Sequence, residues 1–296
     1  MTTSSLDVAA AAAVARPSLA KRLLMSAPAR IVLGVLAIGL TAALSYGAAS
    51  AIAPTPAGRV IWPHLLACAL VTLVYVGYIK LFERRAISEL ALAGAAPQFG
   101  MGAVLGAGAV MAVMAVLGAS GSYTLAGVNP WSLAIVAPLA EMLFAGLFEE
   151  ILFRAVVFRI LERSWGSWPA LMFSAVLFSL AHLGEGISAL GLLNTALAGL
   201  VFCAAYMLTR RLWLGIGIHA AWNYTLGSIC SIAVSGRPAK GLMVGTLTGP
   251  DWLTGGLYGL EGSILTALAM VALFAGLYLR ARRAGQVLRR SARTAH

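Results

Sequence analysis

Runs of about 18 or more apolar residues, separated by short polar or Gly/Pro breaks, divide the chain into eight stretches. They fall at approximately 31–53, 60–82, 100–119, 131–158, 167–183, 187–208, 212–233 and 263–280. A helix needs roughly 20 such residues to cross hydrocarbon. The pattern therefore predicts an all-α fold: a polytopic membrane helix bundle of about eight transmembrane helices. In the fourth run the helical pattern continues to about Arg163, so its end is expected to project into the cytoplasm. The fifth run is short and stops at His182-Leu183-Gly184. Residues 83–94 alternate charge and apolarity as a short interfacial amphipathic helix would. Residues 234–262 hold Pro238, Pro250, Trp252 and many glycines, which suits either a re-entrant segment or a surface cap. No internal repeat and no separate soluble domain is seen. The expected organisation is a disordered cytoplasmic tail over 1–30, a membrane domain over 31–280 and a basic cytoplasmic tail over 281–296.

Basic residues set the orientation. With the N-terminus inside, the inner segments hold Arg16, Lys21, Arg22, Arg30, Lys80, Arg84, Arg85, Arg159, Arg163, Arg210, Arg211, Arg280, Arg282, Arg283, Arg289, Arg290 and Arg293, which is 17 residues. The outer segments hold Arg59, Arg237 and Lys240, which is 3. Lys and Arg accumulate in cytoplasmic loops, so the split predicts N-in, C-in. The expected location is the inner, cytoplasmic membrane, as a multi-pass protein.

Composition strengthens this picture. Apolar residues make up 60% of the chain and charged ones 10%, against about a quarter charged in a soluble domain. Mean hydropathy is +0.90. The net charge of +11 comes mostly from tails and loops, so it signals topology and contact of the 280–293 tail with anionic lipid, not nucleic-acid binding. Cys68, Cys203 and Cys230 lie in apolar runs without CxxC spacing and are read as small core residues.

Against this background the intramembrane polar residues are few. The fourth span carries Glu141, Glu149, Glu150 and Arg154; the fifth ends with Phe178 and His182; the sixth has Asn194; the seventh has His219 and Asn223. Charge in hydrocarbon is costly and normally faces a cavity, a partner or a pathway. Neighbours on a helix point about 100° apart, so Glu149 and Glu150 are not expected to aim at one point. Glu150 and Arg154 stand i,i+4 with the acid first, the favourable order for an ion pair, which leaves Glu149 free. His219 and Asn223 share a helical face, as do Phe178 and His182. Counting ~1.5 Å per residue from the inner edge puts Glu149 at ~15 Å, His219 at ~10 Å, Asn223 at ~16 Å and His182 at ~21 Å. Only His182 stands too high.

A carboxylate, two imidazoles and an amide near one depth form a hydrolytic set. Burial moves a carboxylate toward a general-base range, a histidine can hold the attacking water, and a His–Asn pair can donate to an oxyanion. No serine or cysteine is evidently placed beside a histidine, so a covalent nucleophile is disfavoured.

Glu149-Glu150-x-x-x-Arg154, Phe178-x-x-x-His182 and His219-x-x-x-Asn223 resemble the three motifs of the CPBP family. This family includes type II CAAX prenyl endopeptidases and bacteriocin-processing and immunity proteins. The resemblance covers about 131–233. It implies an α-helical membrane protease in which Glu149 and His182 activate water, His219 and Asn223 form the oxyanion hole, and Glu150, Arg154 and Phe178 support them. It also implies a membrane-associated protein substrate. No cofactor is required in that scheme. The alternative is zinc held by Glu149, His182 and His219, disfavoured because no HExxH occurs and because it would leave Glu149 no separate base role. The Ala-, Gly- and Arg-rich composition suggests a high-GC bacterium, where prenylation is not expected.

Blander readings are a structural ion pair for Glu150–Arg154, a helix-end histidine for His182 and interhelical hydrogen bonding for His219 and Asn223. Glu141 and Asn194 belong to no motif; Glu141 is expected to be wetted or structural. A non-catalytic scaffold or bacteriocin-immunity-type protein is the alternative to an enzyme. A transporter would call for inverted repeats or broken helices, which the sequence does not show.

Overall fold

The computed structural model describes residues 18–52, 55–184 and 187–289. Residues 1–17 of the expected N-terminal tail, and residues 290–296 of the basic C-terminal tail, lie outside the described residues.

Each predicted span coincides with a helical run. After the short α1 (Leu19–Leu24) come α2 (Ala27–Ile52), α3 (Pro56–Tyr78) and α4 (Ala95–Ala119). The fourth span is built in pieces: α5 (Leu133–Val136), α6 (Pro138–Glu149), a π-helical stretch Glu150–Phe158, and α7 (Arg159–Trp165). Then follow α8 (Ser167–Ala181), α9 (Ala189–Thr209), α10 (Trp213–Tyr224) with a π turn Thr225–Ile229, the short α11 (Asp251–Thr254), and α12 (Ile264–Arg283). Among the described residues, α2, α3 with its continuation to Glu83, α4, α9 and α12 are long and apolar enough to cross a membrane, and α8 is a shorter apolar helix. Rows of large apolar side chains point outward, as Leu36, Leu40 and Leu44 do from α2. Outward apolar rows on several helices make this an all-α polytopic membrane bundle.

α4 and α10 are in unusually close contact. A Cβ on Gly217 would stand 2.2 Å from the Phe99 carbonyl oxygen, and one on Gly102 would stand 2.3 Å from that of Leu214. Glycine at these positions lets the two backbones touch, the small-residue packing that replaces hydrophobic driving force in lipid.

One end of the bundle is tied by guanidinium–carboxylate contacts. Glu83 receives Arg30, Arg85 and Arg159; Glu89 receives Arg85 and Arg159; Glu162 receives Arg210. Residues 84–94 form turns and extended chain there, not the expected interfacial helix. Arg84 is left-handed (φ 50°) and breaks the helix. Beyond it the backbone is satisfied by α10: Leu212 N–H donates to the Glu89 carbonyl, and the Trp213 indole donates to that of Ala91. The end of the fourth span does not project freely either. Arg159 and Glu162 are buried in this network, and Glu162 accepts from Ser167 Oγ at the start of α8 (2.6 Å).

The opposite end carries a cap. β1 (Tyr123–Val128) pairs antiparallel with β2 (Met243–Leu247), in register Tyr123↔Leu247 with a bulge between Leu125 and Gly127. The segment 234–262 is therefore a surface cap. It is pinned to the bundle by Asn194 Nδ2, which donates to the carbonyls of Glu261 and Ser263 at 2.8 Å each.

Candidate active site

A cavity of about 410 Å³ lies between α6, α8, α9 and α10 beneath the cap. Glu149, Phe178, His182, His219 and Asn223 all line it. Glu150 and Arg154 do not. They form a fully buried pair behind it, with Arg154 Nη1 at 3.1 Å from Glu150 Oε1. The doublet is split as the helical geometry requires, one carboxylate to the cavity and one to a cation.

The central atom is Glu149 Oε2. His182 Nε2 lies 3.7 Å from it and His219 Nε2 3.8 Å. His182 Nδ1 lies 2.8 Å from the Phe178 carbonyl oxygen. A carbonyl only accepts, so in the neutral ring Nδ1 carries the hydrogen and Nε2 turns its lone pair toward Glu149. His182 thus stands level with Glu149 after all. The helix of the fourth span runs on past Arg159 to Trp165, so depth is better counted from the Glu162–Ser167 contact. From there both residues stand ~20–22 Å in.

His219 sits between the two glutamates. Its Nδ1 is 3.8 Å from Glu150 Oε1 while its Nε2 faces Glu149. Both carboxylates therefore reach one ring from opposite sides, which helical angles alone do not reveal. Phe202 stacks on this ring at 4.8 Å, and Phe178 packs edge-on against it. The same two aromatics hold Arg154, whose guanidinium lies 4.5 Å from the Phe178 centroid and 4.8 Å from that of Phe202. Arg154 Nη2 also donates to the Gly199 carbonyl (3.0 Å). Cation–π contact and one hydrogen bond together hold the arginine. Gly215 makes room for its partner: a Cβ there would stand 2.7 Å from Glu150 Oε2.

The π stretch starts at Glu150, where the helix widens to i→i+5 bonding. Such widening recurs at functional sites because it re-aims side chains. Here it turns Glu150 and Arg154 inward directly below the cavity-facing Glu149. Among the described residues, Glu149 Oε2, both Glu150 oxygens, Arg154 Nε and Nη1, and His219 Nδ1 are buried without a hydrogen-bond partner. Buried unsatisfied groups are rare, and a cluster of them marks a site built for something other than stability. Asn223 lies on the wall one helical turn beyond His219.

Glu141, Asn194 and Glu261 line the cavity but belong to no motif. Glu141, at the mouth, stands 3.9 Å from the exposed Arg237. Asn194 is the pin between α9 and the start of α12. Glu261 comes from the cap; its Oε2 accepts from the Ser235 N–H, and burial raises its pKa above the ordinary carboxylate value. Its only mark in the sequence is to be an acid in a Gly-rich segment just before the last span.

Among the described residues no group of three or more His, Cys, Asp or Glu side chains is arranged to hold a metal ion.

The family description type II CAAX prenyl endopeptidase Rce1-like matches residues 130–225, the segment that supplies every motif residue above. No curated protein and no solved structure matches the chain. Over this segment, about a third of the chain, the protein is similar to that family, and the match supports the resemblance of its three motifs to those of CPBP intramembrane proteases.

Proposed function

We propose that the protein is an intramembrane endopeptidase that hydrolyses a peptide bond of a membrane-associated protein using water activated by Glu149. The observation that carries this reading is the position of Glu149 Oε2, on a cavity wall, within 3.8 Å of two imidazole Nε2 atoms. His182 Nε2 and ionised Glu149 are both acceptors, and a water between them donates one hydrogen to each. Its oxygen is then turned toward a carbonyl carbon in the cavity. On attack one water proton passes to Glu149, and the carbonyl oxygen becomes an oxyanion. Donors from His219 and Asn223 stabilise that charge. Glu149 then gives its proton to the departing nitrogen, and the C–N bond breaks. Glu150 and Arg154 keep His219 in place and balance the charge behind the site.

In this reading the chain crosses the membrane eight times, N-in and C-in, in the inner membrane of a bacterium. Its basic C-terminal segment lies on anionic lipid. The substrate is a membrane-anchored protein, cut near its C-terminus or its anchor. No cofactor takes part. The test is Glu149→Gln in purified enzyme: cleavage is expected to vanish while membrane insertion and the melting temperature stay near wild type. Full activity of that variant would falsify the general-base role.

A further inference from the structure

The guanidinium–carboxylate network at one end of the bundle, the basic end, holds more cations than its carboxylates neutralise. A second cavity, of about 350 Å³, lies within it. The chain after α3, α7, the end of α9 and the chain after α12 form its walls, and it shares no lining residue with the cavity of Glu149. Its volume is in the range of small-ligand sites.

Four arginines line this cavity: Arg85, Arg159, Arg163 and Arg210. Two carboxylates, Glu89 and Glu162, line it as well, but both are already engaged. Glu89 receives Arg85, Arg159 and the Tyr75 hydroxyl; Glu162 receives Arg210 and Ser167 Oγ. Glu83 and Arg30 belong to the same network without lining the cavity, which makes five arginines against three glutamates. By either count two positive charges are left over. Arg159 shows where capacity remains. It is 3% exposed; its Nε donates to the Ala155 carbonyl and its Nη2 to Glu83, while Nη1 is buried without a partner. A buried charged nitrogen left unpaired is costly, and an anion nearby relieves that cost. At the rim Arg163 is exposed and forms no ion pair among the described residues. Ser88 and Tyr206 add hydroxyls to the wall.

Guanidinium forks match the oxygens of phosphate, and a phosphate has enough acceptors to meet several of them at once. The level of the cavity is also informative. Trp165 and Trp168 are exposed at the turn between α7 and α8, next to Glu162 and Ser167. Exposed tryptophans collect at the headgroup level of a bilayer. Leu288, exposed on the cavity wall, offers apolar contact to whatever carries the phosphate. We infer that this cavity is a binding site for a phosphate group. An anionic phospholipid headgroup and free phosphate both supply that chemistry, and basic pockets between membrane helices take such headgroups. Arg159 lies on the helical run that carries Glu149, and Arg210 lies on the link into the helix that carries His219. A phosphate held between them ties those elements together, and binding to the folded chain raises its melting temperature by mass action.

The test uses the full chain, purified in neutral detergent and stripped of lipid, with melting temperature and native mass spectrometry as readouts. Short-chain phosphatidylglycerol, short-chain phosphatidylcholine and inorganic phosphate are added separately at constant ionic strength. Ser88→Glu and Arg163→Gln change exposed lining residues, so both should melt with wild type when nothing is added. Arg283→Gln changes an exposed arginine outside the cavity and serves as the control. Phosphatidylglycerol should raise the melting temperature of wild type and remain bound in the mass spectrum. Each cavity variant should weaken that binding about fivefold, the effect of one charge near a lipid surface, and Arg283→Gln by less than about twofold. No response to inorganic phosphate then makes the headgroup the ligand. Stabilisation by inorganic phosphate alone, lost in the two cavity variants, also supports the site and makes free phosphate its ligand. If Ser88→Glu does not fold, Arg163→Gln decides. Equal binding of phosphatidylcholine, an equal loss in Arg283→Gln, or no shift with any of the three additives overturns the inference.

Discussion

Two clusters of buried charge occupy this bundle, and they are built in opposite ways. At the basic end Glu83 and Glu89 are each gripped by more than one guanidinium, and most of their oxygens accept real hydrogen bonds. Cations outnumber carboxylates there. In the middle of the bundle, two carboxylates share one arginine and two histidines, the contacts are 3.1–3.8 Å, and most polar atoms lack partners. The first arrangement lowers the energy of the fold. The second leaves capacity for a water and a developing charge, a cost tolerated where preorganised polar groups must meet a transition state. Substitutions in the two clusters should therefore be felt in different measurements.

The sharpest contrast is Glu149→Gln. A general base contributes about 10²–10⁴ in rate, so cleavage should drop below detection in most assays. Melting temperature should change little, because Glu149 holds no structural cation. A matched loss of stability and activity would make Glu149 a member of the structural class. A strong chelator belongs in the same experiment. Wild-type activity should survive it, and loss on chelation with recovery on adding zinc would turn Glu149, His182 and His219 into metal ligands.

Glu150→Gln and Arg154→Met should blur the contrast. Each removes one partner of a fully buried pair and strands the other, at ~3–5 kcal/mol. Yield and melting temperature should fall together with activity, since His219 loses its support at Nδ1. If both variants melt with wild type, the pair is not the anchor its burial indicates.

Asn223→Ala probes the site at its least structural point. Asn223 lines the cavity beside His219. A donor to an oxyanion helps only once charge develops, so kcat should fall ~10²–10³ with little change in KM. The double variant with His219→Ala should lose less than the product of the two, because both serve one oxyanion. A rise in KM at constant kcat would make Asn223 a substrate-binding residue.

Much of this was readable in the chain. Apolar run lengths gave the helical spans, because lipid forces each spanning segment to satisfy its own backbone. The polar residues were rare enough that i,i+4 spacing alone separated Glu149 from Glu150. The cap, the π stretch and the basic-end network were not readable, for a common reason: each depends on contacts distant in sequence. Tyr123–Val128 is a strand only because 243–247 lies beside it. Residues 84–94 have an amphipathic pattern, but α10 takes up their backbone groups and Arg159 draws Glu89 inward. His182 stands too high only when Glu149 is counted from Arg159, which is buried rather than at the membrane edge, since the helix runs on to Trp165.

The smallest expected effect sharpens the comparison from the other cluster. Burial acts to raise the pKa of Glu89, but hydrogen bonds from Arg85 and its own backbone, with the positive charges of Arg85 and the nearby Arg159, outweigh it and hold the pKa below the ordinary carboxylate value. Tyr75, which donates to Glu89 Oε1 at 3.1 Å, adds to that grip. A carboxylate whose pKa is lower in the folded state binds its proton more tightly when unfolded. Its stabilisation is therefore complete above the unfolded pKa of about 4.3 and is lost as pH falls through the folded value. Melting temperatures of detergent-solubilised wild type and Glu89→Gln should thus differ most near neutral pH and converge as the buffer is acidified below that range. Taking the difference between the two proteins cancels the titration of Glu83, Glu162 and the other carboxylates to first order. A difference that stays constant down to strong acid would mean the Glu89 charge contributes nothing, and that its network is held by shape and hydrogen bonding alone.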